Sequence, residues 1–254
     1  MPNTSRLARC SLGFRAWNIF AIMNGATAIV TGASSNLGAK VASRLIGAGA
    51  HVLLVSRSLE RLKASSSAHR ENPRCVPLAA DLTDANGIAA LRQEVERRGR
   101  LDVLVLGSGI YKRSDDPTVL LEQFRSNVLG PYALLRAVLP FLIAAQGQVV
   151  FINSTQGLKA SGGVGQYAAT HHAMRALADS LRDEVNEAGV RVLTIYLGRT
   201  ATDRQREIHA FEGRPYRPER LIQPDDVATV ILGLLSLPRT AEATDITLRP
   251  MLKS

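Results

Sequence analysis

Cysteine is scarce. Cys10 and Cys75 are the two in a chain of 254 residues, and no partner ligand stands near either in motif spacing. That excludes a disulfide framework and a zinc site, so no metal is expected, and it makes a reducing, cytoplasmic compartment the default. Aromatic residues amount to 5%, and none is interleaved with a dense basic run. The net charge of +9 is carried by isolated Lys and Arg or by short pairs such as Arg97-Arg98. A solvated surface is therefore expected rather than a nucleic-acid interface, with a positive field that favours anionic ligands, a phosphorylated cofactor among them. Residues 1–24 contain no acidic side chain, only Arg6, Arg9 and Arg15. Their apolar stretch, Trp17 to Met23, falls short of the roughly 20 residues a bilayer span needs. This appended segment reads either as a basic targeting leader or as the product of an early start with Met23 as the true one. The second reading is preferred, poor order is expected over 1–24, and no membrane association is expected.

What is present is one core's worth of apolar residues, 46% of the chain, with mean hydropathy near zero. No long linker, repeat or low-complexity segment divides the rest. Strand-like apolar runs occur at Thr27–Thr31, His51–Ser56, Cys75–Ala79, Leu101–Leu106, Gln148–Asn153, Val190–Tyr196 and Asp245–Leu248. Helix-like patterns fill 37–48, 58–69, 85–98, 117–143, 166–188 and 224–236. Runs of Val, Ile and Leu without polar alternation suit strands buried on both faces of a parallel sheet. Strict β/α alternation predicts a single-domain α/β fold over 25–254: a Rossmann-type, doubly wound parallel sheet flanked by helices. Such a sheet binds its ligand beyond the carboxyl ends of its strands.

The first strand runs into Thr31-Gly32-Ala33-Ser34-Ser35-Asn36-Leu37-Gly38. Gly32 permits a tight turn, Ser34 and Ser35 offer hydroxyls to a phosphate, and Gly38 lets the following helix pack close to the sheet. Leu37 opens that helix, whose N-terminal N–H groups suit a pyrophosphate. Asn36 tolerates left-handed backbone and is placed to crowd or contact the phosphates. The second strand ends in Ser56-Arg57. An acidic residue there would accept the ribose hydroxyls of NAD, whereas Arg57 suits the 2′-phosphate of NADP, so NADP(H) is expected. The alternative is that Arg57 is merely solvated at a helix start.

Downstream, Ile152-Asn153-Ser154-Thr155-Gln156-Gly157 and Gln166-Tyr167-Ala168-Ala169-Thr170-His171 set Ser154 and Tyr167 thirteen residues apart, in the order strand, loop, helix. With the glycine loop, they make residues 25–250 resemble the short-chain dehydrogenase/reductase family. The resemblance implies an oxidoreductase that interconverts a carbonyl and a secondary alcohol. Tyr167 would be the general acid/base, Ser154 would orient the carbonyl, and Asn127, in Ser126-Asn127-Val128-Leu129-Gly130, would hold a water in the proton path. It places Asp81 and Leu82 beside the adenine, Asp81 being alternatively an N-cap, and Gly109 against the cofactor. Gly198 and Thr200 fall at the nicotinamide end. The family's Asn-Asn-Ala-Gly is Leu106-Gly107-Ser108-Gly109 here, which removes side-chain amides that stitch the central strands. A small-molecule carbonyl or alcohol is the implied partner, residues 201–222 the implied lid over it. Helices 117–143 and 166–188 resemble family faces that form a homodimer or homotetramer.

The family's lysine, one turn past the tyrosine, is missing. His171 stands there. An imidazole with an ordinary pKa of about 6.5 is largely neutral at pH 7 and does not supply the fixed cation that draws a phenol down from about 10. His171 is thus read either as a neutral relay or ribose donor, or as a damaged motif. The second reading of the whole chain follows: a catalytically weakened NADP(H)-binding protein acting as sensor, scaffold or partner subunit.

Overall fold

The computed structural model describes residues 23–252. The expectations for the N-terminal extension and for Cys10 therefore lie, from residue 1 to 22, outside the described residues. Seven parallel strands form one sheet: β1 (Thr27–Thr31), β2 (His51–Ser56), β3 (Cys75–Ala79), β4 (Val103–Leu106), β5 (Gln148–Ser154), β6 (Arg191–Leu197) and β7 (Asp245–Leu248). Their spatial order is β3-β2-β1-β4-β5-β6-β7, the doubly wound arrangement expected from the sequence. The order reverses between β1 and β4, so a crevice opens beyond their carboxyl ends. Edge strand β3 carries Pro77, paired with Leu54, and an edge is a position where a missing ladder donor is tolerated.

Alternation along the strands sorts the apolar residues into two layers. Ala28, Val30, Val52, Leu54, Val103, Val105 and Val150 face one way, against α1 (Asn36–Gly47) and α8 (Pro224–Leu235). Ile29, Leu53, Leu104, Val149, Phe151 and Val192 face the other, against α3 (Ala85–Arg98), α5 (Gly130–Ala144) and α6 (Gly165–Val185). Each Val, Leu, Ile or Phe among them, fully buried, contributes about 1.5–3 kcal/mol. Met23 is part of the first layer. The short helix α2 (Leu59–Ser65) is followed by a separate 3-10 turn, Ser67–His69, where one helix over 58–69 was expected.

The helix expected at 117–143 is broken. α4 (Pro117–Phe124) passes through a π-turn, Arg125–Leu129, before α5 begins. Pro131 lacks an N–H, and its ring would clash with the carbonyl of Asn127 in a regular helix. The widened turn, with Gly130 N donating to Arg125 O, removes that conflict. By length and composition, Pro117–Ala144 is apolar enough to cross a membrane, yet half of its most apolar window is buried in the fold. Within 201–222 the chain forms α7 (Asp203–Phe211), with the Thr202 hydroxyl accepting from Gln205 N. Its largely polar sequence gave no apolar stripe from which to foresee it.

Candidate active site at the carboxyl edge of the sheet

The β1–α1 turn is built on close backbone approach. Gly32 has φ +70°, and a Cβ there would stand 2.7 Å from Gly107 O. Ser35 caps α1, its Oγ accepting from Gly38 N at 3.1 Å and donating to Gly32 O at 2.8 Å. Its hydroxyl is thus committed to the turn, leaving Ser34 and the Asn36 and Leu37 N–H groups for an anion. Asn36 does not use the left-handed freedom anticipated for it, since Gln146 is the one non-glycine with positive φ among the described residues. It opens α1, and its Oδ1 accepts instead from Asp203 N at 3.2 Å, joining the loop to α7. The amides missing from Leu106–Gly109 are replaced by one hydroxyl. Thr31 Oγ1 accepts from Gly107 N and Ser108 N and donates to Val105 O, at 2.9–3.2 Å. Ser108 Oγ, beside this crossing, is buried with no partner.

At the far side of the crevice Arg57 is exposed. The Asp81 carboxylate is held below its usual range by the Thr83 N–H, helped by the Thr83 hydroxyl and the Arg57 charge. Both Thr83 bonds are 2.9 Å. Asp81 is not the N-cap of α3. Asp84 is, accepting from Asn86 N at 3.1 Å. The Leu82 side chain is buried in the second core layer, so toward a ligand it offers its backbone.

Tyr167 lies in the first turn of α6, half-buried between Tyr111, edge-on at 5.0 Å, and His171, tilted at 4.3 Å. Ser154 ends β5, where its Oγ accepts from Gln156 N at 3.2 Å. Burial pushes the Tyr167 phenol up, against the lowering pull of the Arg204 charge and the Ser154 hydroxyl. The Asn127 side chain, set by the π-turn, is fully engaged. Its Oδ1 accepts from Ile110 N at 2.7 Å, and its Nδ2 donates to Ile110 O at 3.0 Å and to Thr170 Oγ1 at 3.1 Å. Thr170 in turn donates to Tyr167 O at 2.8 Å. A Cβ on Gly109 would sit 3.0 Å from Asn127 Oδ1. Asn127 therefore clamps the chain after β4 to the tyrosine helix.

His171 is tied to Asn153, which the sequence reading left without a role. Asn153 Oδ1 accepts from Ser154 N at 2.7 Å, while its Nδ2 donates to His171 O at 3.1 Å. The His171 Nδ1 found 2.6 Å from the same Oδ1 must therefore carry a proton, which leaves Nε2 as the acceptor in the neutral ring. Burial first, then the charges of Arg204 and His172, drives the His171 pKa down to about 3. Position 171 holds a neutral ring, not a substitute cation. A stability consequence follows. The unfolded imidazole takes up a proton near its ordinary 6.5, and the folded one only at about 3. The unfolded state thus binds more protons between these values, and stability falls as pH drops through that window, by up to about 1.4 kcal/mol per unit. His171→Asn, which keeps an N–H for Asn153, is expected to flatten this slope in urea midpoints measured at about pH 7 and about pH 5.

Past β6, Gly198 N donates to Leu248 O at 2.8 Å, and Thr200 Oγ1 donates to Gly198 O at 3.1 Å. Thr200 is buried and bridges to Ile222, closing the ends of the 201–222 segment on each other. Glu212, just beyond α7, receives Arg113 Nη2 at 2.6 Å and Arg199 Nη2 at 2.9 Å. Arg204, on α7, donates to Gly109 O at 2.5 Å. No sequence signal separated Arg204 from the other arginines of 201–222. Among the described residues no group of His, Cys, Asp and Glu is arranged to hold a metal.

A family model described as short chain dehydrogenase matches residues 26–213. The chain is 31% identical over 242 residues to a glycine betaine reductase of Emericella nidulans, covering 90% of this chain and 19% of that protein's length. It is 30% identical to an uncharacterized NAD-dependent oxidoreductase of Mycobacterium tuberculosis, covering 84% of this chain and 90% of the relative. A solved metagenomic short-chain oxidoreductase in complex with NADP superposes with a TM-score of 0.77 at 29% identity. That match spans 91% of this chain and all of the other.

Proposed function

Because the chain belongs to the short-chain dehydrogenase family, we propose that it is an NADP(H)-dependent oxidoreductase interconverting a carbonyl and a secondary alcohol. The observation that carries the reading is the meeting of Tyr167 and Ser154 beside the crevice at the β1/β4 switch point. The cofactor's place is supported by the backbone itself. Gly32 and Gly38 leave no room for a Cβ, the first turn of α1 presents N–H groups, and Ser108 Oγ is buried without a partner. Gly32, Ser34, Asn36 and Leu37 would hold the pyrophosphate, Arg57 the 2′-phosphate, Asp81 and Leu82 the adenine side, and Gly109, Gly198 and Thr200 the nicotinamide end. Ser35 would act indirectly, by shaping the turn.

When bound, NADPH supplies a hydride to the carbonyl carbon. The chain's own share is the oxygen: Ser154 donates a hydrogen bond to it, and Tyr167 gives it a proton as the phenol in reduction and takes one as the phenolate in oxidation. The Asn127 side chain positions both sides of the site, which leaves its main-chain carbonyl to hold the water in the proton path. Residues 201–222, with α7, form the lid that selects the substrate. A second reading, a catalytically weakened NADP(H)-binding sensor, scaffold or subunit, is favoured by one observation, the neutral state of His171. Leu121, Leu129 and Tyr132 stand exposed on α4, the π-turn and α5, which supports a homodimer or homotetramer. The cytoplasmic location rests on composition alone.

Calorimetric titration of NADPH and NADH, followed by assay on a carbonyl panel, separates the readings. Tight NADPH binding with turnover supports the enzyme, and binding without turnover supports the sensor. Arg57→Glu is expected to lower NADPH affinity by about 100-fold, since it replaces a charge-assisted phosphate pair with repulsion at about 1.4 kcal/mol per tenfold. NADH affinity is expected to hold or rise. An unchanged NADPH affinity would remove Arg57 from the site.

A further inference from the structure

We propose that Arg204 supplies, from α7, the cation that the Tyr167 site lacks at position 171, so that the proton-transferring phenol is completed only when α7 is docked. The inference rests on the oxidoreductase reading and adds to it a residue outside the tyrosine helix.

The geometry begins with what holds α7. Its first N–H, on Asp203, is bonded to Asn36 of the glycine turn. The segment just past its end is fastened through Glu212 to Arg113, in the chain after β4, and to Arg199, at the root of the lid. Between these fixings the Arg204 guanidinium reaches Gly109 O at 2.5 Å. Gly109 adjoins Ile110, whose N–H and carbonyl are both held by Asn127, and Asn127 is bonded to Thr170 of the tyrosine helix. The guanidinium is therefore braced against the same clamp that orients Tyr167.

Three other arginines around the lid are occupied. Arg113 and Arg199 share Glu212, and Arg206 lies over the Tyr216 ring at 4.8 Å. Arg204 donates to the Gly109 carbonyl and to the Tyr167 hydroxyl, and it forms no carboxylate ion pair among the described residues. Its charge is thus not cancelled locally. The groups that bear on the Tyr167 phenol are Tyr111 from the chain after β4, Ser154 from β5, His171 on its own helix, and Arg204. His172 acts on His171, and Arg113 beside Tyr111 is matched by Glu212. Of these, Arg204 is the unmatched cation, and it stabilises the phenolate against the cost of burial. The same charge helps keep His171 neutral. One cation excludes the other, which is why a histidine is tolerated where the resemblance predicts a lysine.

Arg204 is thus a positioning residue, and its test reads the phenol rather than rate alone. The ultraviolet absorbance of ionising tyrosine is titrated in wild type, Arg204→Gln and Arg204→Lys without cofactor. The Tyr167 component is taken as the difference from Tyr167→Phe. In parallel, the pH profile of alcohol oxidation is recorded with NADP. Arg204→Gln is expected to move both transitions up by about one unit or more, a tenfold or greater loss of rate at pH values below them. Arg204→Lys is expected to stay near wild type. Adding His171→Lys to Arg204→Gln is expected to bring the transitions back down. Wild-type transitions in Arg204→Gln would overturn the proposal, as would loss of the effect in Arg204→Lys together with no rescue by His171→Lys. The absorbance titration stands even if Tyr167→Phe turns over normally, so failure of the oxidoreductase reading is distinguishable from failure of this one. The side chain is exposed, and an unchanged Tm in Arg204→Gln confirms that the fold is intact.

Discussion

Tyr167→Phe is expected to lower kcat by about 10²–10⁴-fold, the usual worth of a positioned general acid/base, with NADPH affinity within about twofold of wild type. The substitution deletes one oxygen and keeps the ring, so the edge-on contact with Tyr111 and the tilted contact with His171 persist. Thr170 stays bonded to the main-chain carbonyl of residue 167, and through it Asn127 stays in place. The partners that the phenolic oxygen gives up, Ser154 and Arg204, keep their bonds to Gln156 N and Gly109 O. Steady-state turnover on an accepted carbonyl, alongside calorimetry with NADPH, separates chemistry from binding. A fall in kcat at constant affinity marks an interaction made in the transition state. Full turnover in Tyr167→Phe would remove the proposed mechanism, and loss of NADPH binding would mean that the tyrosine is structural.

The fold was legible because its signals are local. Runs such as Ala28-Ile29-Val30 and Val52-Leu53-Leu54-Val55 show burial on both faces, and alternation with helices leaves the parallel sheet as the consistent topology. The site was legible where a residue's role depends on near neighbours in sequence. Gly32, Gly38, Ser154 and Tyr167 all stand at strand–helix junctions. Legibility failed where partners come from distant segments. Thr31 replaces the lost amides by reaching Gly107 and Ser108, more than seventy residues on, and no spacing rule links them. The break at Arg125–Leu129 did have a signal, Pro131 four residues after Asn127, but an apolar stretch that continues through a proline reads as one helix. Asn153 carries no local signal beyond its place at a strand end, although it fixes the His171 tautomer. Arg204 lay among similar arginines in a polar segment, and only the docking of α7 sets it apart.

Gly38→Ala, a change of one methyl group, is expected to lower stability by about 2–3 kcal/mol, within the range for overpacking a tight site. In a chain of this size that is a Tm decrease of about 5–10 °C. The added Cβ would lie 2.2 Å from Gly32 O and 2.7 Å from Gly32 C. Both are backbone atoms of a turn whose left-handed φ leaves it little freedom, so neither can rotate aside as a side chain would. Relief requires α1 to draw back from the β1 turn. That motion stretches the Ser35 Oγ bond to Gly38 N and separates Leu37 from the core layer it packs against. It also carries the Asn36 and Leu37 N–H groups off the line on which they converge, so NADPH affinity is expected to fall by at least tenfold as well. Ala normally favours a helix over Gly by up to about 1 kcal/mol, so a net loss isolates the steric term. Gly47→Ala, at the other end of α1 with nothing within 4 Å of its Cβ position, is the control, and should hold or raise the Tm. Equal behaviour of the two variants in thermal unfolding would mean that the helix does not rest on the turn, and the reading of this loop as a phosphate cradle would lose its structural basis.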